Sequence, residues 1–322
     1  MLRYLILATK IALSAGLVWY AFSKVDVGSA MEYLRNISAF AIVAALALLF
    51  VQMVIAALRL RELLMLLGAT CDVIGAVDVV MIGAFFSQTM ISFIGGDAMR
   101  IWRIVRSSTP VGVATRSILF DRAAGFMGLI ILTLLGLPLL LQVIKQPELR
   151  LGLLIAMAAF MCGFVFFLSL RNMPAMFRRW RIFKMIADFA TEAMALSRNK
   201  KGVTALLGLS LTIHFLNVVI LYIIAQSLSI EITFLNSLVL FPPVLFMSML
   251  PISVAGWGVR EGAMVVALNM VNVPAHQSLA LSICFGLCAL AISLPGGVLW
   301  FYTRNQADKE IAIAATAIPK KD

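Results

Sequence analysis

Largely apolar runs of about twenty residues place the first constraint on this chain. They cover residues 4–22, 38–57, 118–142, 151–170, 203–224 and 277–301. A helix needs about 20 apolar residues to cross a hydrocarbon core roughly 30 Å thick. Only helices and closed barrels satisfy their backbone hydrogen bonds there. Six such runs predict an all-α polytopic membrane protein. Of 322 residues, 62% are hydrophobic and only 13% charged, against about 25% charged in ordinary soluble domains. The net charge of +11 is therefore read as topology and contact with anionic lipid headgroups, not as nucleic-acid binding.

The first run follows Arg3 and resembles a signal peptide. Lys10 interrupts its apolar core, however, and no small-residue cleavage site follows. It reads as a retained first span.

Two further apolar stretches break near their middles. Residues 74–106 contain Gly95-Gly96-Asp97, and residues 233–272 contain Pro242-Pro243, Pro251 and Gly256-Trp257-Gly258. Glycine weakens a helix at such points. With a cytoplasmic N-terminus, drawing both stretches as re-entrant hairpins leaves Arg59, Arg61, Arg100, Arg103, Arg106, Arg116 and the basic loop after residue 170 inside. Of the 26 Lys and Arg, nineteen are then cytoplasmic, four external and three within apolar segments. Two short full crossings per broken stretch fit the charges equally well.

The drawing contains an inverted repeat. Span 38–57, a broken stretch and span 118–142 form one half; span 203–224, a broken stretch and span 277–301 form the other. Gly95 lies 57 residues after position 38, and Gly256 lies 53 after position 203. The expected fold is about six full spans plus two glycine-broken hairpins, within one transmembrane domain over residues 1–303. The halves are about 38–142 and 203–301. Glycine-broken segments at matched places in two halves point to a transport site near the midplane. Residues 175–199 are expected to form a basic amphipathic helix on the inner leaflet, with Phe177, Trp180, Phe183, Ile186, Ala190 and Met194 on its apolar side. A solvated helix between bundles is the alternative. The tail 304–322 is expected to be disordered and cytoplasmic.

Ionisable residues inside apolar segments are costly and need partners. They cluster at three places. In Gly95-Gly96-Asp97-Ala-Met-Arg100, Asp97 and Arg100 are three apart and can pair on one helix face. Asp97 is also placed as an N-cap. In Gly256-Trp257-Gly258-Val-Arg260-Glu261-Gly262, the adjacent Arg260 and Glu261 are expected to diverge, leaving one for a cavity or a remote partner; an arginine in a dry cavity suits a phosphate. Asp121-Arg122 either pairs with these motifs or marks the cytoplasmic interface. His214 and Asn217 share a face and are expected to hydrogen-bond between helices.

The four cysteines and two histidines form no metal-ligand cluster, so no metal or other cofactor is expected. Cys284 and Cys288 read as small core residues. No serine-hydrolase, metalloprotease, P-loop or diphosphate motif appears. No enzymatic activity is expected, and transport would be downhill, ion-coupled or partner-driven.

Three motifs taken together resemble the flippase-like family of the lysylphosphatidylglycerol synthase transmembrane region. They are Gly95-Gly96-Asp97-Ala-Met-Arg100, Leu119-Phe-Asp121-Arg122, and Pro251-Ile-Ser253 leading to Gly256-Trp257-Gly258-Val-Arg260-Glu261-Gly262. The resemblance covers about residues 1–303. It implies a bacterial or archaeal cytoplasmic-membrane protein tied to lipid movement. In the two-domain synthases this region is thought to flip aminoacylated phosphatidylglycerol. Without a soluble aminoacyl-transfer domain, this chain is expected to be a stand-alone member, and the synthase activity does not carry over.

The leading expectation is a lipid translocase. Arg100, Arg122 and Arg260 would bind an anionic headgroup; Asp97, Asp121 and Glu261 would balance them or meet a cationic headgroup. The expected partners are a membrane lipid substrate and anionic inner-leaflet lipids. The alternative is a scaffold or regulatory subunit for a lipid-modifying enzyme. A membrane enzyme acting on a lipid phosphate ranks third, because no nucleophile–base arrangement is visible.

Overall fold

The computed structural model describes residues 37–89, 95–144, 146–172 and 179–249, then 256–316, together with the isolated position 176. The span at 4–22, Lys10, Ser253 and Pro251 lie outside the described residues.

Every regular element among the described residues is helical. In chain order the α-helices are α1 (Ala39–Leu66), α2 (Val73–Thr89), α3 (Gly95–Arg106), α4 (Val111–Val143), α5 (Pro147–Ser169), α6 (Arg181–Arg198), α7 (Lys200–Ser227), α8 (Phe234–Met249), α9 (Val259–Asn269) and α10 (Ala275–Thr316), with a short 3-10 turn at Leu170–Asn172 after α5. Helices α1, α4, α7 and the Ala275–Thr303 part of α10 are long and apolar enough to cross a membrane. They match four of the predicted spans, and α5 covers a fifth. The protein is thus a polytopic helical membrane protein. Side chains such as Phe40, Val43 and Val298 on the outer surface are exposed, as a lipid solvent permits.

The two broken stretches each form a pair of short helices. At 1.5 Å per residue, α2 and α3 are about 26 and 18 Å long, and α8 and α9 about 24 and 17 Å. No one of these arms is as long as the hydrocarbon core is thick. The arms of each pair pack against each other, α2 on α3 and α8 on α9.

Helix packing maps onto itself when the halves α1–α4 and α7–α10 are exchanged. Helix α1 packs on α7 at the centre. Helix α2 packs on α10, and its counterpart α8 packs on α4. Likewise α3 meets α4, and α9 meets α10. The α2–α10 contact is backbone to backbone: a Cβ on Gly296 would stand 2.0 Å from the Met81 carbonyl oxygen. One apolar cluster lies mostly in the second half, around Phe241, Leu221, Ile224 and Leu268. A second lies in the first half, around Leu60, Leu64, Ile104 and Ile118.

Two expectations need adjustment. Helix α6 starts at Arg181, and one side of it packs on the bundle. Its Ala187 and Ala190 are fully buried, and Phe189 stacks on Phe120 of α4 at 4.3 Å. Phe189, Ala193 and Leu196 pack on a cluster of Leu63, Phe120 and Leu206. Trp180 and Met185 are exposed together with Lys184, so the helix keeps an amphipathic outer side. Helix α10 continues to Thr316, into the stretch expected to be disordered. The run Ala307-Asp-Lys-Glu-Ile-Ala-Ile-Ala-Ala315 is rich in strong helix formers.

Candidate functional site

The break in the first half brings four helices to one polar network. Helix α3 begins at Gly95, so Asp97 lies in its first turn and is not the N-cap. The carboxylate turns to side chains instead of the helix end. Arg122 of α4 donates from Nε to Asp97 Oδ2. Arg100, one turn on from Asp97, has Nη1 3.8 Å from Asp97 Oδ1. Its Nη2 donates to Asp121 Oδ2 at 2.8 Å. The i,i+3 pairing expected within α3 is thus present, but the shorter contacts cross between α3 and α4: Asp97 with Arg122, Arg100 with Asp121. The motif at 121–122 therefore pairs with the motif at 97–100.

A third arginine completes the network. Arg59 of α1 donates from Nε to Asp121 Oδ1 at 2.7 Å and from Nη1 to Ser210 Oγ of α7 at 3.0 Å. Sequence reasoning placed Arg59 among cytoplasmic topogenic charges; it is instead buried. The missed signal is its position inside a 28-residue helix, only two residues beyond the apolar run 38–57. Arg103 and Asp78 form a further ion pair between α3 and α2 at 2.5 Å, which spacing alone did not suggest.

Backbone shape makes this possible. A Cβ on Gly83 of α2 would stand 2.3 Å from Arg100 Cγ, so only glycine leaves room for the arginine stem. On α4, the Gly125 carbonyl accepts a hydrogen bond from His214 Nε2 at 2.9 Å. The expected interhelical bond of His214 is present. Its Nδ1 is buried with no hydrogen-bond partner.

The second break is built differently. Gly256 and Gly258 have φ of 79° and 84°, the left-handed region glycine enters freely. They turn the chain into α9. Glu261, in the first turn of α9, accepts from the Gly258 N–H through Oε2 at 2.5 Å, as a helix-capping carboxylate does. Its Oε1 accepts from Arg260 Nη2 at 2.8 Å and from Ser282 Oγ at 3.0 Å. Ser282 in turn accepts from Arg260 Nε at 3.0 Å.

This corrects the expectation that adjacent Arg260 and Glu261 diverge. Glu261 folds back over the helix start, and the long arginine side chain curls to the same place. The Arg260 guanidinium lies 4.9 Å from the Trp257 ring and 5.7 Å from the Phe285 ring, within cation–π range. Gly286 makes room for it: a Cβ there would stand 2.3 Å from Arg260 Nη2. The cluster ties α9 to α10 and is nearly closed, with the Glu261 side chain 1% exposed.

The two breaks thus differ in charge. Three arginines share two aspartates at the first, and one arginine meets one glutamate at the second. The first network reaches across both halves through Ser210; the second stays within its own half. Among the described residues no group of three or more His, Cys, Asp or Glu is arranged to hold a metal ion. Cys284 and Cys288 are buried in the core and Cys162 is exposed.

No curated protein matches the chain. A family profile described as the lysylphosphatidylglycerol synthase TM region matches residues 7–297, which takes in both breaks and every residue of both networks. The chain belongs to the lysylphosphatidylglycerol synthase transmembrane-region family.

Proposed function

We propose that this protein is a lipid translocase that moves a polar or anionic headgroup across the cytoplasmic membrane while the acyl chains stay in the bilayer. One observation carries the reading: Asp97, Arg100, Asp121, Arg122 and Arg59 form a charged network within an apolar bundle, at a helix break. Intramembrane charges are costly, and they mark substrate paths more often than they stabilise a fold. The family's tie to lipid metabolism supports a lipid as cargo.

In this reading, residues 1–303 form one flippase-like unit, both broken stretches are re-entrant, and both termini are cytoplasmic. Asp97, Arg100, Asp121 and Arg122 line the headgroup path. For Arg260 and Glu261 the reading favours a latch over first contact with lipid, because they satisfy each other and Ser282 in a nearly closed pocket.

The test is reconstitution into vesicles carrying headgroup-labelled phospholipids, with leaflet exposure followed by chemical quenching. Translocation by wild type, reduced about tenfold or more by Arg100→Gln, is expected for loss of a charge-assisted contact in a desolvated path. No translocation by the isolated chain, with an enzyme co-purifying in stoichiometric amount, would establish the scaffold reading instead.

A further inference from the structure

Resting on that translocase reading, we propose that Arg122 is the anchor for a lipid phosphodiester, and that the Asp97 carboxylate occupies this anchor as an internal stand-in that the phosphodiester displaces.

Within the first network, two carboxylates play different parts. Asp121 is 3% exposed and bridges Arg59 and Arg100 from opposite sides. Both of its oxygens are engaged by buried donors, so it is a fixed counter-ion. The pair of Asp97 and Arg122 is more open, with side chains 16% and 25% exposed. The exchangeable member of the network is therefore Asp97.

A carboxylate also fits the place incompletely. It engages Arg122 by hydrogen bond but lies 3.8 Å from Arg100 Nη1, too far for a hydrogen bond. Arg100 Nε is buried without a partner. A phosphodiester carries its charge on a tetrahedral centre with more acceptor oxygens, and can meet two guanidinium groups together. The first-turn N–H groups of α3, at Gly95 and Gly96, favour an anion at the same end.

Charge decides the class of headgroup. Arg59, Arg100 and Arg122 face Asp97 and Asp121, leaving this five-residue network one positive charge in excess. One phosphodiester monoanion brings it to neutrality. A headgroup with an added ammonium restores the excess inside an apolar bundle. The structure thus favours a lipid of single negative charge.

The experiment titrates purified wild type, Asp97→Asn, Arg122→Gln and Arg122→Lys proteins in an uncharged maltoside detergent. The probes are dihexanoyl phosphatidylglycerol and, separately, the soluble phosphodiester glycerophosphoglycerol, with bound ligand read by native mass spectrometry. Removing a stand-in that holds the anchor most of the time raises apparent affinity, so Asp97→Asn is expected to bind phosphatidylglycerol about tenfold tighter. Arg122→Gln is expected to lose about tenfold or more, and Arg122→Lys to fall between, since it keeps charge without the fork. Unchanged or weaker binding by a folded Asp97→Asn protein overturns the proposal. Should that variant not fold, Arg122→Gln decides: wild-type affinity overturns the proposal, and loss supports it.

Equal affinity for glycerophosphoglycerol and the lipid would keep the phosphodiester site but remove the lipid as its source. Failure of both probes to bind wild type, beside intact translocation of an uncharged or zwitterionic lipid, overturns this inference and leaves the translocase reading standing. Binding as expected with no translocation does the reverse.

Discussion

Arg59 and Asp121 lie 62 positions apart in sequence and meet at 2.7 Å, Nε to Oδ1, in the interior of the bundle. Arg59 also reaches Ser210, so one guanidinium ties α1, α4 and α7 together. Arg100 holds the other oxygen of Asp121. The carboxylate is therefore the shared counter-ion of two buried cations.

Removing that carboxylate leaves Arg59 with only the Ser210 hydroxyl and Arg100 with only the longer 3.8 Å pairing to Asp97. Breaking a buried ion pair from one side costs about 3–5 kcal/mol. Asp121→Asn is expected to lower the unfolding temperature in detergent sharply. The double variant Asp121→Asn with Arg59→Met is expected to recover part of the loss, because one unpaired charge is gone. A thermal melt of the single and double variants checks this; equal melts for Asp121→Asn and wild type contradict the shared-counter-ion reading.

At Gly83 the constraint is steric. A methyl there would overlap the Arg100 stem, and overpacking costs about 1–3 kcal/mol. Gly83→Ala is expected to push Arg100 from Asp121. Translocation should fall further than melting temperature does, compared with an alanine at Gly112, which has open space around it. A vesicle assay and a melt run side by side separate the two effects.

The second break offers a parallel test of a different role. Gly286→Ala would overlap both Arg260 and Trp257. Ser282→Ala removes a hydroxyl that bridges Arg260 and Glu261, and a hydrogen bond to a charged group is worth about 1.5–3 kcal/mol. Both variants are expected to lower the melting temperature, with phosphatidylglycerol affinity unchanged in whatever fraction stays folded. A change in affinity equal to that of Arg122→Gln would move this cluster from latch to binding site.

Much of this architecture was legible in the sequence. Apolar run length found α1, α4, α7 and α10, and paired glycines found both breaks, because these are local properties. Asp97 and Arg100 were legible for the same reason: they sit one helical turn apart. Arg59 and Ser210 were not. Their value comes from helix packing that brings positions 59, 121 and 210 together, and no local pattern encodes that. Arg260 and Glu261 failed from the opposite cause. Ideal helix geometry directs neighbours apart, but Glu261 lies in a first turn, where free N–H groups draw the carboxylate back. The periodicity of α6 gives its apolar side, but not that Phe120 on another helix covers part of it.

The hairpin topology yields the last prediction. If both broken stretches are re-entrant from opposite sides, the turn after α3 and the turn before α10 face opposite compartments. Ser107 and Pro274 are exposed at these turns. Neither has the left-handed backbone of its neighbours Ser108 and Asn272, so each accepts cysteine without that strain. In a background with Cys71 and Cys162 replaced, Ser107→Cys is expected to react with an impermeant maleimide only after the cytoplasmic side is opened. Pro274→Cys is expected to react in intact cells. Charge alone also permits two short crossings per break, but the arms are each shorter than the hydrocarbon core and pack side by side. Labelling of both sites from the same side would break the inverted relation between the halves.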